Sequence, residues 1–244
     1  MILMNHAMMG AAGYQAAAGG STGTQLYRDF DDDPLEQVPS WLVSRWSTPH
    51  SDWRVLESSV GSLPPAFGPR AFYTESNVVN HGRAAFEITD AVGTEADSIG
   101  CLLRTSNTPN CIAHLTLRGA GANEASRSGY SLWVRAGTNN FEIRRTASGT
   151  EQTLATGTLD MSAGTDFIAN LSATANGGSV DLAASAYLLG DESSVVTLSA
   201  TDPSPLALGW PGIGIVSSTA ISNLVRWGWI GVGTDGASAP MEPI

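Results

Sequence analysis

Apolar and polar residues alternate along most of the chain in short segments. Apolar side chains stand at residues 130, 132 and 134 of the segment 129–135, and at residues 141 and 143 of the segment 140–146. A period of two residues is typical of strands that bury one face. Gly, Asn, Asp, Ser and Pro interrupt these segments at close spacing, and Asn176-Gly177-Gly178 has the composition of a hairpin turn. The pattern therefore predicts short β-strands joined by tight turns.

Helical periodicity is weak throughout. A short helical turn is compatible with residues 34–38 or 42–46, but no window of about 11 or more residues has a convincing period of 3.6. Many short strands with few helices indicate two packed antiparallel sheets. The predicted strands are 26–30, 53–57, 71–73, 83–88, 98–103, 111–117, 129–135, 140–146, 150–154, 166–173, 180–189, 195–199, 212–216 and 223–230.

The pattern divides the chain into an N-terminal arm (1–25), a β-sandwich (26–230) and an extended C-terminal tail (231–244). Residues 1–24 contain no Asp, Glu, Lys or Arg and few large apolar side chains. Such a segment cannot bury enough surface by itself to offset its ordering entropy. We expect a neighbouring chain or the body of the protein to hold it. The arm is thus a candidate attachment segment in a larger assembly.

A secretory signal is the alternative explanation of the arm, because Ala16-Ala17-Ala18 resembles a cleavage site. The positive n-region of such signals is missing, and Gly10 and Gly13 interrupt the apolar stretch. We therefore favour the attachment segment. No other segment approaches the ~20 consecutive apolar residues that span a bilayer, so no membrane span is predicted.

The charge composition limits the classes of molecule that the chain is expected to bind. The chain has 12 basic residues, all of them Arg, against 23 acidic ones, for a net charge of −11. This negative field repels phosphate backbones, so nucleic-acid binding is not expected. The absence of lysine removes Schiff-base chemistry. Only 14% of residues are charged, and the many Ser, Thr, Gly and Ala residues favour a β-rich structural protein over a helical enzyme.

The two cysteines, Cys101 and Cys111, are too few for a disulfide scaffold or a zinc site. We predict that their segments form an antiparallel hairpin with Leu103 opposite Cys111. The cysteines are then diagonal neighbours, with Cα atoms about 7–8 Å apart. Because that separation is too long for an unstrained bridge, we expect two buried free thiols.

A series of short motifs follows the arm in a characteristic order. It runs from Tyr27-Arg28-Asp29-Phe30-Asp31 and Trp53-Arg54-Val55-Leu56-Glu57 through Cys101-Leu102-Leu103-Arg104, Gly129-Tyr130-Ser131-Leu132-Trp133-Val134, Asn140-Phe141-Glu142-Ile143-Arg144-Arg145 and Gln152-Thr153-Leu154 to Leu208-Gly209, Gly212-Ile213-Gly214 and Ile221-Ser222-Asn223-Leu224-Val225. Across residues 26–230 this order resembles the concanavalin A-like lectin/glucanase superfamily. The resemblance implies an all-β, concanavalin A-like jelly-roll sandwich of two antiparallel sheets, behind an extended N-terminal arm.

The same resemblance identifies what the sequence lacks. Glucanases of that superfamily carry Glu-x-Asp-x-Glu or Glu-x-Asp-x-x-Glu on one strand, and retaining glycosidases need two carboxyl groups about 5–5.5 Å apart. The nearest segment, Phe86-Glu87-Ile88-Thr89-Asp90, has no second Glu in place before Glu95. The legume-lectin metal cluster is also missing. We therefore expect no catalytic residue, no metal site and no cofactor.

The Met/Ala/Gly composition of the arm resembles the N-termini of bacteriophage virion proteins that carry such a sandwich behind a short attachment segment. This resemblance implies a non-catalytic structural protein of a phage or phage-like virion (tail, fibre or head decoration), assembled in the host cytoplasm. Residues 1–24 would contact other virion proteins, a homo-oligomer is expected, and host cell-surface polysaccharide is the candidate ligand. The alternative is a secreted carbohydrate-binding, lectin-like protein or a glycoside hydrolase relative.

Strand parity selects a candidate binding face. Alternate residues of 129–135 point into the sandwich, which places Trp133 and Arg135 on the outer face, beside Glu142 and Arg144 of the next strand. An aromatic ring flanked by guanidinium donors and a carboxylate suits a sugar. We predict that these four residues form a carbohydrate site, open to solvent and concave. The alternative is that a loop or subunit covers Trp133 while Glu142 pairs with a neighbouring arginine.

Three further groups of residues have structural explanations. Trp227 and Trp229 lie on one face of a predicted strand and are expected in the core. His114 lies opposite the inward set of its strand, so it is predicted at the surface, and the four histidines lack metal-ligand spacing. The acidic run Asp31-Asp32-Asp33 predicts a solvated turn. A calcium site there is the alternative.

Overall fold

The computed structural model describes residues 23–47, 53–57, 63–74, 82–89, 96–105, 111–160, 166–217 and 225–240. Within these ranges the chain forms strands, turns and two short 3-10 helices, Pro65–Phe67 and Ala136–Thr138. Residues 1–22, and with them most of the proposed arm, lie outside the described residues. The strands are β1 (Gln25–Asp29), β2 (Leu42–Ser47), β3 (Trp53–Glu57), β4 (Arg70–Thr74), β5 (Gly82–Ile88), β6 (Ala96–Thr105), β7 (Cys111–Ala120), β8 (Ser128–Arg135), β9 (Asn140–Ala147), β10 (Thr150–Thr158), β11 (Asp166–Asn176), β12 (Ser179–Leu188), β13 (Asp191–Asp202), β14 (Trp210–Ser217) and β15 (Val225–Thr234).

The strands form two antiparallel sheets that pack face to face. The eight-stranded sheet has the order β13-β12-β11-β6-β15-β4-β3, with β1 also pairing with β15. The seven-stranded sheet has the order β10-β9-β8-β7-β14-β5-β2. Strands that are far apart in sequence, such as β7 and β14, become neighbours because the chain crosses between the sheets. The predicted all-β sandwich of two antiparallel sheets is confirmed.

Every second residue of the central strands enters a continuous core between the sheets. β11 and β12 alternate buried and half-buried positions along most of their length. The core also holds a group of aromatic rings, in which Phe72 lies 5.4 Å from Trp53 and 5.2 Å from Phe86, measured between ring centroids. Each buried aromatic side chain removes roughly 150–250 Å² from water, so this layer supplies much of the driving force for folding.

One predicted helical turn is a strand. Residues 42–46 belong to β2, which pairs with β5 through Leu42 and Ile88 at the edge of the seven-stranded sheet. Leu42 is buried whereas Val43, Ser44 and Arg45 are exposed, and the register shifts between Ser44 and Trp46, so pairing rather than a regular burial pattern defines this strand. Periodicity cannot separate helix from strand in so short a segment, and pairing with a neighbouring strand decides the outcome.

The C-terminal boundary of the sandwich lies later than residue 230. β15 continues to Thr234, and a turn at Asp235 and Gly236 directs residues 235–240 back over the outer face of the eight-stranded sheet. The hydroxyl of Ser98 donates to the carbonyl of Ala237 at 2.9 Å. Pro240 packs against Gly231, where a Cβ atom would lie 2.3 Å from the Pro240 carbonyl oxygen. Part of the predicted tail is therefore a covering layer of the sandwich.

The two cysteines are free and buried, as predicted, but the predicted hairpin is wrong. Cys101 lies on β6 in the eight-stranded sheet, whereas Cys111 begins β7 in the seven-stranded sheet. Leu103 therefore pairs with Phe167 of β11 rather than with Cys111. A turn-rich sequence between two apolar runs does not specify whether the chain returns to the same sheet or crosses to the other.

Trp227 and Trp229 are both buried, as predicted, but they face opposite sides of the eight-stranded sheet. Trp227 pairs with Leu103 and Trp229 with Leu102, so the register shifts by one residue at Gly228. This β-bulge turns Trp229 away from the central core. The expectation of a shared face is wrong because strict alternation fails at a bulge.

A buried hydrogen-bond network fixes the chain where it leaves β13 for β14. The Tyr130 hydroxyl donates to Asp202 at 2.7 Å and accepts the backbone N–H of Leu206 at 2.9 Å. Arg145 Nε also donates to Asp202, at 2.7 Å. Burial raises the pKa of Asp202, but the hydrogen bonds from Tyr130, Ser204 and Arg145 outweigh it and hold the pKa below its usual value. The network fixes β9 relative to the crossover.

Candidate functional site

The four predicted site residues lie on the outer face of the seven-stranded sheet. Tyr130, Leu132 and Val134 enter the core, which turns Trp133 and Arg135 outward. On β9, Phe141 and Ile143 enter the core and turn Glu142 and Arg144 outward. Trp133 stands directly opposite Glu142 in the pairing of β8 with β9. Strand register thus brings together two aromatic or charged residues from each strand.

Trp133 is buried, with 5% of its surface exposed. The guanidinium carbon of Arg144 lies 4.0 Å from the centre of the indole ring, within the range of a cation–π contact. The His114 ring stacks on the same indole, with centroids 6.5 Å apart. The expectations of an exposed Trp133 and a surface His114 are both wrong, because outward-facing side chains cover one another here. Arg144 must move before a sugar can stack on this side of the indole.

The charged residues of this face form a linked set of ion pairs. Arg144 Nε lies 3.6 Å from Glu142 Oε2, and Arg144 Nη1 lies 3.4 Å from Glu151 Oε2. The other oxygen of Glu151 accepts a hydrogen bond from Arg127 Nη2. Glu151 therefore bridges two arginines. The pairing of Glu142 with a neighbouring arginine is the arrangement that the alternative explanation of the face required.

Arg127 and Glu151 belong to the site but were not predicted from the sequence. Glu151 reaches the outer face because it pairs with Thr146, an outward residue of β9. Arg127 immediately precedes β8 and has only 7% of its side chain exposed. A strand register for β10 would have identified Glu151. Arg127 has no such signal, because it lies outside the alternating segment.

A small pocket opens beside Trp133. It has about 10 Å³ of space, which is roughly what one water molecule requires. Gly129, with φ at +153°, leaves the floor open, since a Cβ atom there would lie 3.1 Å from Thr116 Cγ2. The described lining contains one arginine and several hydroxyl groups but no carboxylate. The lining residues are His114, Thr116, Arg127, Ser128, Gly129, Ser131, Trp133 and Thr146.

Glycines allow large rings to lie flat on the neighbouring strands of this face. A Cβ atom on Gly214 would lie 2.4 Å from His114 Cε1, so the imidazole occupies the space above β14. The Trp210 ring similarly covers Gly119 and Gly212. The face is thus built from rings set over glycines, with ion pairs at the β9–β10 end.

Asp31 and Asp33 bind their own chain. Asp31 accepts the backbone N–H of Arg70 at 3.2 Å, and Asp33 accepts the indole N–H of Trp41 at 3.0 Å. Burial, together with the neighbouring carboxylates, raises the pKa of both side chains above the usual value. Among the described residues, no group of three or more His, Cys, Asp or Glu is placed to hold a metal ion.

Known proteins resemble this chain in structure rather than in sequence. No protein-family model matches it, and no curated protein sequence does. A protein of unknown function from Shewanella oneidensis MR-1 superposes with a TM-score of 0.56 at 16% identity, covering 87% of this chain and 86% of that one. A β-1,3-1,4-glucanase (lichenase) from a mouse hindgut metagenome superposes with a TM-score of 0.51 at 11% identity, covering 86% of this chain and 98% of that one.

A third similar structure is the CBM2 module of the evolved Dit protein from Lactobacillus casei BL23 phage J-1. It gives a TM-score of 0.50 at 13% identity and covers 88% of this chain and 97% of that one. The fold is a concanavalin A-like jelly roll. Likeness at such identities establishes the fold alone. Within the described part of this jelly roll, no helix is long and apolar enough to cross a membrane.

Proposed function

We propose that this jelly roll is a non-catalytic structural component of a phage or phage-like virion. In this proposal residues 1–25 attach it to other virion proteins, and the outer face of the seven-stranded sheet binds carbohydrate. The particle would assemble in the host cytoplasm and hold several copies of the chain. The observation that carries the binding role is the cluster of Trp133, His114 and Arg144 on that face, linked to Glu142 and Glu151.

The chemistry of the cluster supports binding of a polyhydroxylated ligand. Guanidinium groups, carboxylates and hydroxyls provide donors and acceptors for sugar hydroxyls, and an indole provides an apolar surface. Displacement of Arg144 from the Trp133 ring would expose that surface while its guanidinium rotates toward the ligand. Site residues Trp133, Arg135, Glu142 and Arg144 therefore remain our prediction, with Arg144 as the group that must move.

The ion pairs favour binding over hydrolysis. A retaining glycosidase presents two carboxyl groups about 5–5.5 Å apart to the scissile bond, one of which must carry a proton. The described carboxylates of this face are engaged by arginines instead: Glu142 and Glu151 contact Arg144, and Glu87 accepts a hydrogen bond from Arg45. We therefore assign the face to recognition, although one structural relative is a lichenase.

Attachment to a particle is supported by the uncharged arm and by the fold likeness to a module of a phage Dit protein. A virion component needs a segment that other chains can order, and residues 1–24 have too little apolar surface to fold by themselves. The secreted lectin and the hydrolase relative are the competing functions. A secreted protein would use the arm as a secretory signal, but the positive n-region of such signals is missing, and Gly10 and Gly13 interrupt the apolar stretch.

Binding and hydrolysis can be measured on one sample. The full chain is titrated calorimetrically with a panel of polysaccharide fragments, including β-1,3-1,4-glucan, and each mixture is assayed for new reducing ends. We expect binding to at least one fragment and no product. New reducing ends that disappear in Glu142→Gln or Glu151→Gln would contradict the non-catalytic assignment. Absence of binding to every fragment would contradict the recognition role.

The attachment role of the arm is tested by purifying particles from cells that express the gene. Deletion of residues 1–20 should leave the jelly roll folded and abolish its recovery with purified particles. A matched deletion of residues 241–244 should leave recovery unchanged. If the chain without residues 1–20 still co-purifies with particles, or if the full chain never does, the attachment role is wrong.

A further inference from the structure

The pocket beside Trp133 has an unusual balance of polar groups. Its described lining provides the hydroxyls of Thr116, Ser131 and Thr146, the His114 ring and the Arg127 guanidinium, and contains no carboxylate. Ser131 pairs directly with Thr116 on one side and with Arg144 on the other. A guanidinium only donates hydrogen bonds, and a hydroxyl can donate one as well as accept, so a lining without a carboxylate suits an acceptor.

The Arg127 side chain has one buried N–H group without a hydrogen-bond acceptor. Its side chain is 7% exposed, and its Nη2 atom is engaged by Glu151. Its Nε atom is buried and has no hydrogen-bond partner, and the Nε atom of Arg144 is in the same state. A buried N–H without an acceptor has lost its hydrogen bonds to water without replacement, which destabilises the unliganded protein. A ligand oxygen that reached Arg127 Nε would remove that penalty.

The charge of the pocket lining favours an anion at short range. Arg127 is the only charged side chain among the described lining residues, and its partner Glu151 lies outside that lining. The chain carries a net charge of −11, which opposes anions at long range, so the attraction must come from groups within the pocket.

The size of the pocket limits what enters it. Space for roughly one water molecule excludes a sugar ring but accepts one oxygen of a carboxylate or phosphate. The ring that carries that group would lie over Arg144 and Trp133. Charge-assisted hydrogen bonds between a guanidinium and such an oxygen are about twice as strong as neutral ones.

We infer that this pocket binds the anionic substituent of an acidic polysaccharide, with Arg127, Ser131 and Thr146 as its donors. The inference rests on the proposed carbohydrate-binding function and names its ligand class. A uronate carboxylate and a sugar-linked phosphate share the required chemistry, and the experiment separates them.

Four probes of matched length are titrated into the full chain: oligogalacturonate, its methyl ester, a β-1,3-1,4-glucan oligosaccharide, and the same oligosaccharide carrying a sugar-linked phosphate. We expect at least one acidic probe to bind at least about tenfold more tightly than its uncharged counterpart. Which acidic probe binds identifies the carboxylate or the phosphate as the ligand group. Binding in which neither acidic probe is preferred over its uncharged counterpart overturns the inference and leaves carbohydrate recognition intact. Failure of all four probes contradicts both.

Substitutions of pocket residues test whether the anion binds in this pocket. Arg127→Gln should abolish the preference for the acidic probe, and Ser131→Ala should weaken acidic binding severalfold without disturbing the Arg127–Glu151 pair. Ser131→Ala decides the question if Arg127→Gln fails to fold. The matched control is Arg104→Gln, which removes the partner of Asp166 in the eight-stranded sheet. If Arg104→Gln weakens acidic binding as much as Arg127→Gln does, or if neither site variant changes it, the pocket is not the anion site.

Discussion

The two outer faces of the sandwich differ in the residues that cover them. The chain itself covers part of the eight-stranded sheet: residues 235–240 lie over Gly231, and Phe67 packs beside Leu102 and Trp229 in a second apolar cluster. That sheet also carries the Arg104–Asp166 pair, whereas the described outer face of the seven-stranded sheet carries a linked set of ion pairs, hydroxyl groups and rings over glycines. Since the central core already stabilises both sheets, the second face is available for polar chemistry.

Trp133 and Trp229 illustrate the difference between the two outer faces. Trp229 is 4% exposed and Trp133 is 5% exposed, so burial does not distinguish them. Their surroundings do. Trp229 belongs to an apolar cluster and its ring lies tilted against that of Tyr27, with centroids 5.9 Å apart, whereas Trp133 lies between His114 and Arg144 beside a pocket. The first contact set stabilises the fold, and the second can rearrange around a ligand.

The largest expected effect is on stability at the eight-stranded sheet. Trp229→Ala should lower the free energy of unfolding by about 3–5 kcal/mol, because it leaves an apolar cavity that water does not fill. Trp133→Ala should cost less, about 1–3 kcal/mol, because water can enter from the adjoining polar pocket. Urea unfolding of both variants measures the difference.

A cost for Trp133→Ala equal to or greater than that for Trp229→Ala would contradict the distinction. Trp133 would then be a core residue like any other. The neighbouring Trp227, which faces the central core and is 1% exposed, provides a reference for full burial.

The covering tail can be tested by filling the space beneath it. Gly231→Ala should destabilise the full chain by about 1–3 kcal/mol, because the new Cβ atom would meet the Pro240 carbonyl oxygen. In a chain that ends at Thr234 the same substitution should be neutral or stabilising by up to about 1 kcal/mol, since Ala is preferred to Gly within strands. If both backgrounds show the same cost in thermal unfolding, the tail does not cover Gly231.

Alkaline pH should weaken the eight-stranded sheet through Tyr27. Burial, and then Asp29 and Asp31, raise the pKa of Tyr27 from 10.0 to about 12. A raised pKa means that the folded state holds the proton more tightly, so the contribution to stability is complete below pH 10 and is lost as pH rises through 12. Tyr27→Phe should therefore show a smaller loss of unfolding free energy over this interval than the unmodified chain. An identical pH dependence would show that Tyr27 titrates normally.

The smallest expected effect is on the chemical reactivity of the two cysteines. Burial raises the pKa of the Cys111 thiol to about 11 and raises that of Cys101 further above its ordinary value. Thiolate is the reactive form, so neither cysteine should react with a thiol reagent in the folded protein at neutral pH. Both should react after denaturation without added reductant. Rapid labelling of the native chain would place a thiol at the surface.

The sequence predicts the inner faces of the sheets well and the outer faces poorly. Alternation at Tyr130, Leu132 and Val134 assigns the inward positions of β8 correctly, because hydrophobic burial is a strong and local signal. Burial of Trp133 depends on Arg144 and His114, which reach it from neighbouring strands. Side chains that cover one another across strands leave no periodic pattern in the sequence.

Crossovers and bulges account for the remaining errors. The turn between Leu103 and Cys111 predicts a hairpin, but the choice between returning and crossing is made by packing with distant strands. The one-residue shift at Gly228 reverses the face of Trp229, and a single glycine in an apolar segment does not by itself specify a bulge. Arg127 lies outside the alternating segments, so its place in the site follows only from the three-dimensional structure.

The claim that carbohydrate engages the outer face of the seven-stranded sheet is tested most directly by the indole N–H signals of Trp133 and Trp229. The isotope-labelled chain is titrated with the tightest-binding fragment of the four probes, and the signals are assigned from Trp→Phe variants. The account predicts a saturable shift of the Trp133 signal with the Trp229 signal unchanged. A shift of Trp229 with Trp133 unchanged would contradict it.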